Sequence, residues 1–130
     1  MTEDNPFRNE ILSLMRHADC HYGDALRDED AGLSVEQAAR KRDEVRQDRI
    51  ADLRRAVRMV ARGEHSLNKR QAGHEDGVLR ALLHFEVDMS DELRRYIRIR
   101  LARLQPEFGL KKTVAPLRRV TRGANARRTP

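Results

Sequence analysis

His17, Cys20 and His21 stand at i, i+3 and i+4, with Asp24 one step beyond, a set of nitrogen, sulfur and oxygen donors of the kind zinc accepts. A zinc site needs three or four ligands in place, and the remaining histidines, His65, His74 and His84, lie far along the chain. His21 also continues the apolar face of Phe7, Ile11 and Ala18, so packing accounts for it. No metal and no cofactor is assigned. The triplet His74-Glu75-Asp76 places a titratable ring beside two carboxylates, the elements of acid-base or metal-assisted phosphodiester chemistry. It has no partner at working spacing, and the chain lacks a Gly-rich phosphate loop, so the triplet reads as a polar turn with a helix cap. Cys20 has only the adjacent His21 as a base, too common a coincidence to mark a nucleophile. The chain reads as a binding protein and not as an enzyme.

What remains is charge. Of 27 basic and 21 acidic residues, seven basic and no acidic ones fall in the last twenty: Lys111, Lys112, Arg118, Arg119, Arg122, Arg127 and Arg128. The first 110 residues are therefore near neutrality, and the excess is local. A concentrated basic segment attracts polyanions by neutralising phosphates and releasing counterions, which makes nucleic acid the leading partner class. Arg54, Arg55, Arg58 and Arg62 add a row with no acid between Asp52 and Glu64, and Lys69 and Arg70 extend it past a short turn. Arg94, Arg95 and Arg98 form a second basic face. Such faces are either phosphate contacts or solvated surface, including ion pairs with the acidic N-terminal region. Glu92, three residues before Arg95, is one example of such a pairing.

The elements that must carry these residues read as helices. Charged residues make up 37% and aromatic ones 4% of the chain, with no Trp, so Leu, Val and Ile must build the core. Asn5-Pro6 marks the start of a first helix running to about Asp19. Tyr22 to Gly32, acidic and broken by two glycines, reads as a loop. Ser34 and Gln37 have capping-box spacing, and no Gly or Pro recurs until Gly63, so one long helix is expected over 34–62. Its second half carries the stripe Ile50, Leu53, Val57 and Val60, while Val45 with Ala38 and Ala39 offers a seam for a partner helix. Gly73 and Gly77 divide the next segment into two short helices, Ser66 to Ala72 and Asp76 to His84. A final helix begins after Ser90 with the stripe Leu93, Ile97, Leu101 and Leu104, and Pro106 and Gly109 end it.

Phe85, Val87 and Met89 alternate as in a strand and run straight into the Ser90 helix start, which resembles the opening half of a ribbon-helix-helix DNA-binding protein, a dimeric family whose paired strands enter the major groove. Here Glu86 and Asp88 would turn acids toward the phosphates, and Pro106, Gly109 and Pro116 replace the second helix. The family is not adopted. The preferred reading of 84–89 is a helix-capping turn that buries Phe85 and Met89.

The expected fold is all-α, a small helical bundle over 1–110 followed by a disordered basic tail over 111–130. The expected function is non-catalytic nucleic-acid binding, DNA or RNA, as a regulator or small subunit of a nucleoprotein complex. The competing expectation is an adaptor or inhibitor that binds an acidic partner protein through the charged Arg40 to Arg49 segment. A small, charge-rich body is expected to bury further surface as a homodimer. A single cysteine and no signal-peptide pattern point to the cytoplasm, and no apolar run approaches the roughly 20 residues of a membrane span.

Overall fold

The computed structural model describes residues 5–43 and 46–109. Six helices follow in order: α1 (Arg8–Met15), α2 (His21–Asp30), α3 (Val35–Lys41), α4 (Gln47–Arg62), α5 (Lys69–Leu83) and α6 (Asp91–Phe108), with a 3-10 turn at Glu86–Asp88 before α6. Among the described residues there is no strand, and the all-α bundle expected from the sequence is the fold. The basic tail over 111–130 lies outside the described residues.

Helix α4 sits at the centre, packed against α1, α2, α3 and α5, and α5 in turn carries α6. Its stripe Ile50, Leu53, Val57 and Val60 is buried as the spacing predicts. Val57 and Val60 join Ile11 and Met15 of α1, Val78, Leu79 and Leu82 of α5, and Leu93, Ile97 and Leu104 of α6 in one core. The helix stops where Gly63 takes a left-handed conformation at φ 74°. The Gly63 and Glu64 amides then donate to the carbonyls of Val60 and Met59, so the last turn is satisfied by a Schellman arrangement.

The single helix expected over 34–62 is two. Ser34 does form the capping box, accepting from the Gln37 amide at 3.1 Å while Gln37 accepts from the Ser34 amide at 2.8 Å. The chain then turns at Arg42 and Asp43, the latter at φ 56°. The turn lets Ala38 and Ala39 bury against Ile50 of the same chain, in a small cluster with Val35. Burying a side chain such as Ile50 contributes about 2 kcal/mol, against the few tenths of a kcal/mol that an exposed ion pair would add to a straight charged helix. The seam expected for a partner helix is thus occupied from within; Val45 lies outside the described residues.

The acidic segment read as a loop is α2. Gly23 is a close approach and not a break: a Cβ there would come within 2.3 Å of the Ala18 carbonyl oxygen and 2.9 Å of that of Met15. The first turn of α2 therefore rests on the end of α1, which stops at Met15 and not at about Asp19. Ala25 and Leu26 are buried beneath it. The carboxylates that argued against a helix are neutralised from outside and within it: Lys41 reaches Asp28 at 3.0 Å, Arg42 also pairs with Asp28, and Arg27 of α2 itself pairs with Asp24 three residues before it. Burial pushes the Asp28 carboxyl up, but the hydrogen bonds from Lys41 and Arg42 outweigh it and hold it below its ordinary value.

Two further corrections concern breakers. Gly73 and Gly77 lie inside one continuous α5, because Ala72, Val78, Leu79 and Leu82 share a buried stripe that spans both. A Cβ at Gly77 would fall 2.8 Å from the Tyr22 hydroxyl, so this glycine lets α2 approach α5. Pro106 lies within the last turn of α6, where a proline ring costs one backbone hydrogen bond, and only Gly109, at φ 66°, ends the helix. The turn before α6 buries Met89 and half-buries Phe85, as the capping reading of 84–89 expects. Ser90 caps α6 and donates its amide and hydroxyl to the two oxygens of Glu10, at 2.6 and 2.9 Å, tying α1 to the start of α6.

Candidate nucleic-acid interface

Four of the predicted arginines converge. Arg55, Arg58 and Arg62 on one face of α4 and Arg70 in the first turn of α5 line a groove of about 570 Å³, together with Asn68, Gln71, His74 and Met59. The face follows from the i+3 and i+4 spacing, and the turn at Gly63 brings α5 back alongside. Asp52 anchors the corner, accepting from Arg55 at 2.7 Å and also pairing with Arg70, so one carboxylate is shared by guanidiniums from two helices. Arg58 pairs with Glu29 of α2, and Arg62 lies 3.7 Å from Glu64. The acidic N-terminal region thus does supply a carboxylate to this row.

Two neutral members of the wall, Asn68 and Gln71, carry donors as well. Asn68 accepts the Gln71 amide at 2.9 Å, and Gln71 accepts the Leu67 amide at 2.7 Å. With both side-chain oxygens held by backbone, each amide group presents its NH2 to a ligand. Against the two carboxylates of the lining, Asp52 and Glu64, stand four guanidiniums and two amides, a donor excess that suits an acceptor-rich ligand. His74 contributes a ring whose Nδ1 lies 3.0 Å from the Tyr22 hydroxyl. Burial holds the His74 pKa below its ordinary value, with Asp52 opposing and Arg70 and Arg55 reinforcing the effect. Burial also pushes the Tyr22 hydroxyl up to about 12, so Tyr22 stays protonated at neutral pH.

Other predicted residues lie elsewhere. Arg54 is 8% exposed and donates to the Leu33 carbonyl at 2.8 Å. Its spacing from Ile50 and Val57 places it on the flank of the buried arc, so it secures the loop before α3 and does not join the row. Lys69 is exposed at the start of α5, makes no ion pair among the described residues and does not line the groove. On α6, Arg94 reaches Asp91 at 2.7 Å and the Glu86 carbonyl, and Arg98 pairs with the Glu86 carboxylate. Arg95 is exposed and has no ion-pair partner among the described residues, so of the two alternatives, solvation or a pair with Glu92, it is solvated. No α6 arginine lines the α4/α5 groove. Lys111, Lys112, Arg118, Arg119, Arg122, Arg127 and Arg128 lie outside the described residues.

The chemistry-bearing clusters of the sequence separate. His17 follows the end of α1, where its ring lies 3.0 Å from the Ser13 carbonyl, whereas His21 opens α2 and is exposed, so the two do not share a helix face. Among the described residues no three His, Cys, Asp or Glu side chains are placed to hold a metal. The triplet 74–76 lies inside α5 and is not a turn. Glu75 is 2% exposed, accepts from Arg100 at 2.5 and 3.2 Å and takes the Ser66 hydroxyl at 2.5 Å, a spent carboxylate that fastens α5 to α6. Residues that sequence reasoning missed are Asn68, which caps α5, and Gln71, together with Arg8 and Arg16. The last two line a second groove of about 270 Å³ with Leu12, Leu26, Glu29, Asp30, Arg58, Ala61 and Arg62. No helix among the described residues is long and apolar enough to cross a membrane. Comparison with known proteins finds no matching family model, no matching curated protein and no matching solved structure.

Proposed function

We propose that this chain is a non-catalytic nucleic-acid-binding protein, a regulator or small subunit of a nucleoprotein complex, that holds phosphates in the α4/α5 groove and with its basic tail. The observation that carries this reading is the convergence of Arg55, Arg58, Arg62 and Arg70 on one donor-lined groove. Arg58 and Arg62 pair with Glu29 and Glu64 toward the surface, and such pairs contribute only about 0 to 1 kcal/mol, so a phosphate can replace those carboxylates at small cost. Arg55 and Arg70 instead share the more buried Asp52 and would meet a phosphate with the donors that Asp52 does not use. The seven tail cations add a sequence-independent electrostatic term. The protein is read as cytoplasmic and as a homodimer, the latter to be checked by light scattering on a size-exclusion column.

The test is fluorescence anisotropy of duplex DNA, single-stranded DNA and RNA with full-length protein across a salt series, repeated with Arg55→Gln/Arg70→Gln. Steeply salt-dependent binding that weakens in the double variant supports the reading. Absence of binding to all three at near-physiological salt removes it.

A second reading, an adaptor for an acidic partner protein, is favoured by one observation on α6. Ile99 is 50% exposed, and Arg95 and Arg103, one turn to either side, are exposed and make no ion pair among the described residues. Loss of partner capture in Ile99→Asp, with nucleic-acid binding unchanged, would favour it.

A further inference from the structure

The two grooves share residues. Arg58 and Arg62 line both the α4/α5 groove and the smaller one between α1, α2 and α4. The shared pair therefore forms a common wall, and the basic surface continues from Arg70 and Arg55 across Arg58 and Arg62 to Arg16. In the second groove Arg16 donates to Asp30 at 2.8 Å, and Glu29 pairs with Arg58. The last turn of α2 thus sets two carboxylates against two cations of this surface, in the places phosphates would take.

No aromatic ring of Phe, Tyr or Trp lines either groove. Proteins that hold unpaired strands rely on such rings, because base stacking supplies much of their affinity. A surface of guanidiniums and amide donors whose one ring, His74, is half-buried and lies 3.0 Å from the Tyr22 hydroxyl reads backbone and not bases. Resting on the phosphate-binding reading above, we infer that the two grooves form one track for the backbone of a double-stranded nucleic acid, bound without regard to base sequence, and that Arg16 is a contact residue at its far end. The duplex displaces Asp30 from Arg16 and Glu29 from Arg58.

The experiment compares a mixed-sequence 20-base-pair DNA duplex with its separated strand in anisotropy titrations over a salt series, using the full chain and three variants: Arg55→Gln/Arg70→Gln, Arg16→Gln and Asp30→Asn. Circular dichroism melting confirms that each variant is folded, and Asp30→Asn keeps the test open should Arg16→Gln fail to fold. The track requires that duplex bind more tightly than the single strand and that Arg16→Gln weaken duplex binding severalfold. It also requires that Arg16→Gln lower the log-affinity against log-salt slope by about 0.9, the value for one phosphate fewer neutralised, and that Asp30→Asn strengthen binding. If Arg55→Gln/Arg70→Gln weakens binding while Arg16→Gln and Asp30→Asn leave it unchanged, or the single strand binds as tightly as the duplex, the track is overturned and the α4/α5 groove stands. If the unaltered protein binds neither DNA ligand, the track is overturned, and absence of binding to RNA as well removes the phosphate-binding reading.

Discussion

Glu75 and Arg100 form a two-point ion pair in the interior, with Nε at 2.5 Å from one carboxylate oxygen and a terminal nitrogen at 3.2 Å from the other, both residues nearly inaccessible to solvent. The Ser66 hydroxyl completes the carboxylate, so the pair also holds the segment between α4 and α5. Removing one member leaves the other buried and uncompensated. Glu75→Leu and Arg100→Leu are each expected to lower unfolding free energy by about 3 to 5 kcal/mol, read by chemical denaturation. The double variant is expected to be less destabilised than the two costs added together, since no charge is then stranded.

The interior glycines predict effects of opposite sign. Gly73 has open space where a side chain would stand, so Gly73→Ala gains helix propensity and is expected to stabilise by about 0.5 to 1 kcal/mol. Gly23→Ala gains the same propensity but drives a methyl into the backbone at the end of α1, so it is expected to destabilise. Thermal melts of the two variants beside the unaltered chain decide both.

Those two glycines also show what is legible in the sequence. Caps and stripes are local, so Ser34, Ser90, Gly63 and the apolar positions of α4 and α6 can be read directly, and the all-α fold with them. A glycine in a helix looks the same in sequence whether it breaks the helix or admits a neighbour. Gly23 and Gly77 therefore read as interruptions, although each marks a place where another element approaches. The turn at Asp43 depends on Ile50 burying Ala38 and Ala39, a contact that no local pattern displays. The groove is half legible: spacing puts Arg55, Arg58 and Arg62 on one face, but the return of Arg70 to Asp52 and the entry of Arg16 beside Arg58 are tertiary facts.

Stability should fall in mild acid through His74. Burial holds its pKa in the folded chain below the ordinary 6.5, so the unfolded chain binds more protons between that value and the lowered one. The stabilising contribution is complete above pH 6.5 and is lost as pH falls through the window beneath it. Denaturation midpoints measured from about pH 7.5 to about pH 5 are expected to decline in the unaltered chain and to decline less in His74→Gln. Under the phosphate-binding reading the ligand has the opposite effect, because anionic phosphate in the groove raises the His74 pKa. Nucleic-acid affinity is then expected to increase as pH falls toward about 6, and His74→Gln to remove that part of the pH dependence.

The tail and the groove should separate by salt dependence. Replacing Lys111, Lys112, Arg118, Arg119, Arg122, Arg127 and Arg128 by Gln in the full chain removes seven charges and leaves every residue of the six helices unchanged. On duplex DNA each phosphate that is no longer neutralised lowers the log-affinity against log-salt slope by about 0.9. A tail that engages phosphates therefore predicts a slope smaller by several units in this variant, and Arg55→Gln/Arg70→Gln a drop of up to about 1.8 from two phosphates. The two effects on slope are expected to add, because the cations engage different phosphates. A tail variant with an unchanged slope would leave the groove as the whole interface. A double groove variant with an unchanged slope would assign binding to the tail alone and overturn the phosphate-holding role of Arg55 and Arg70.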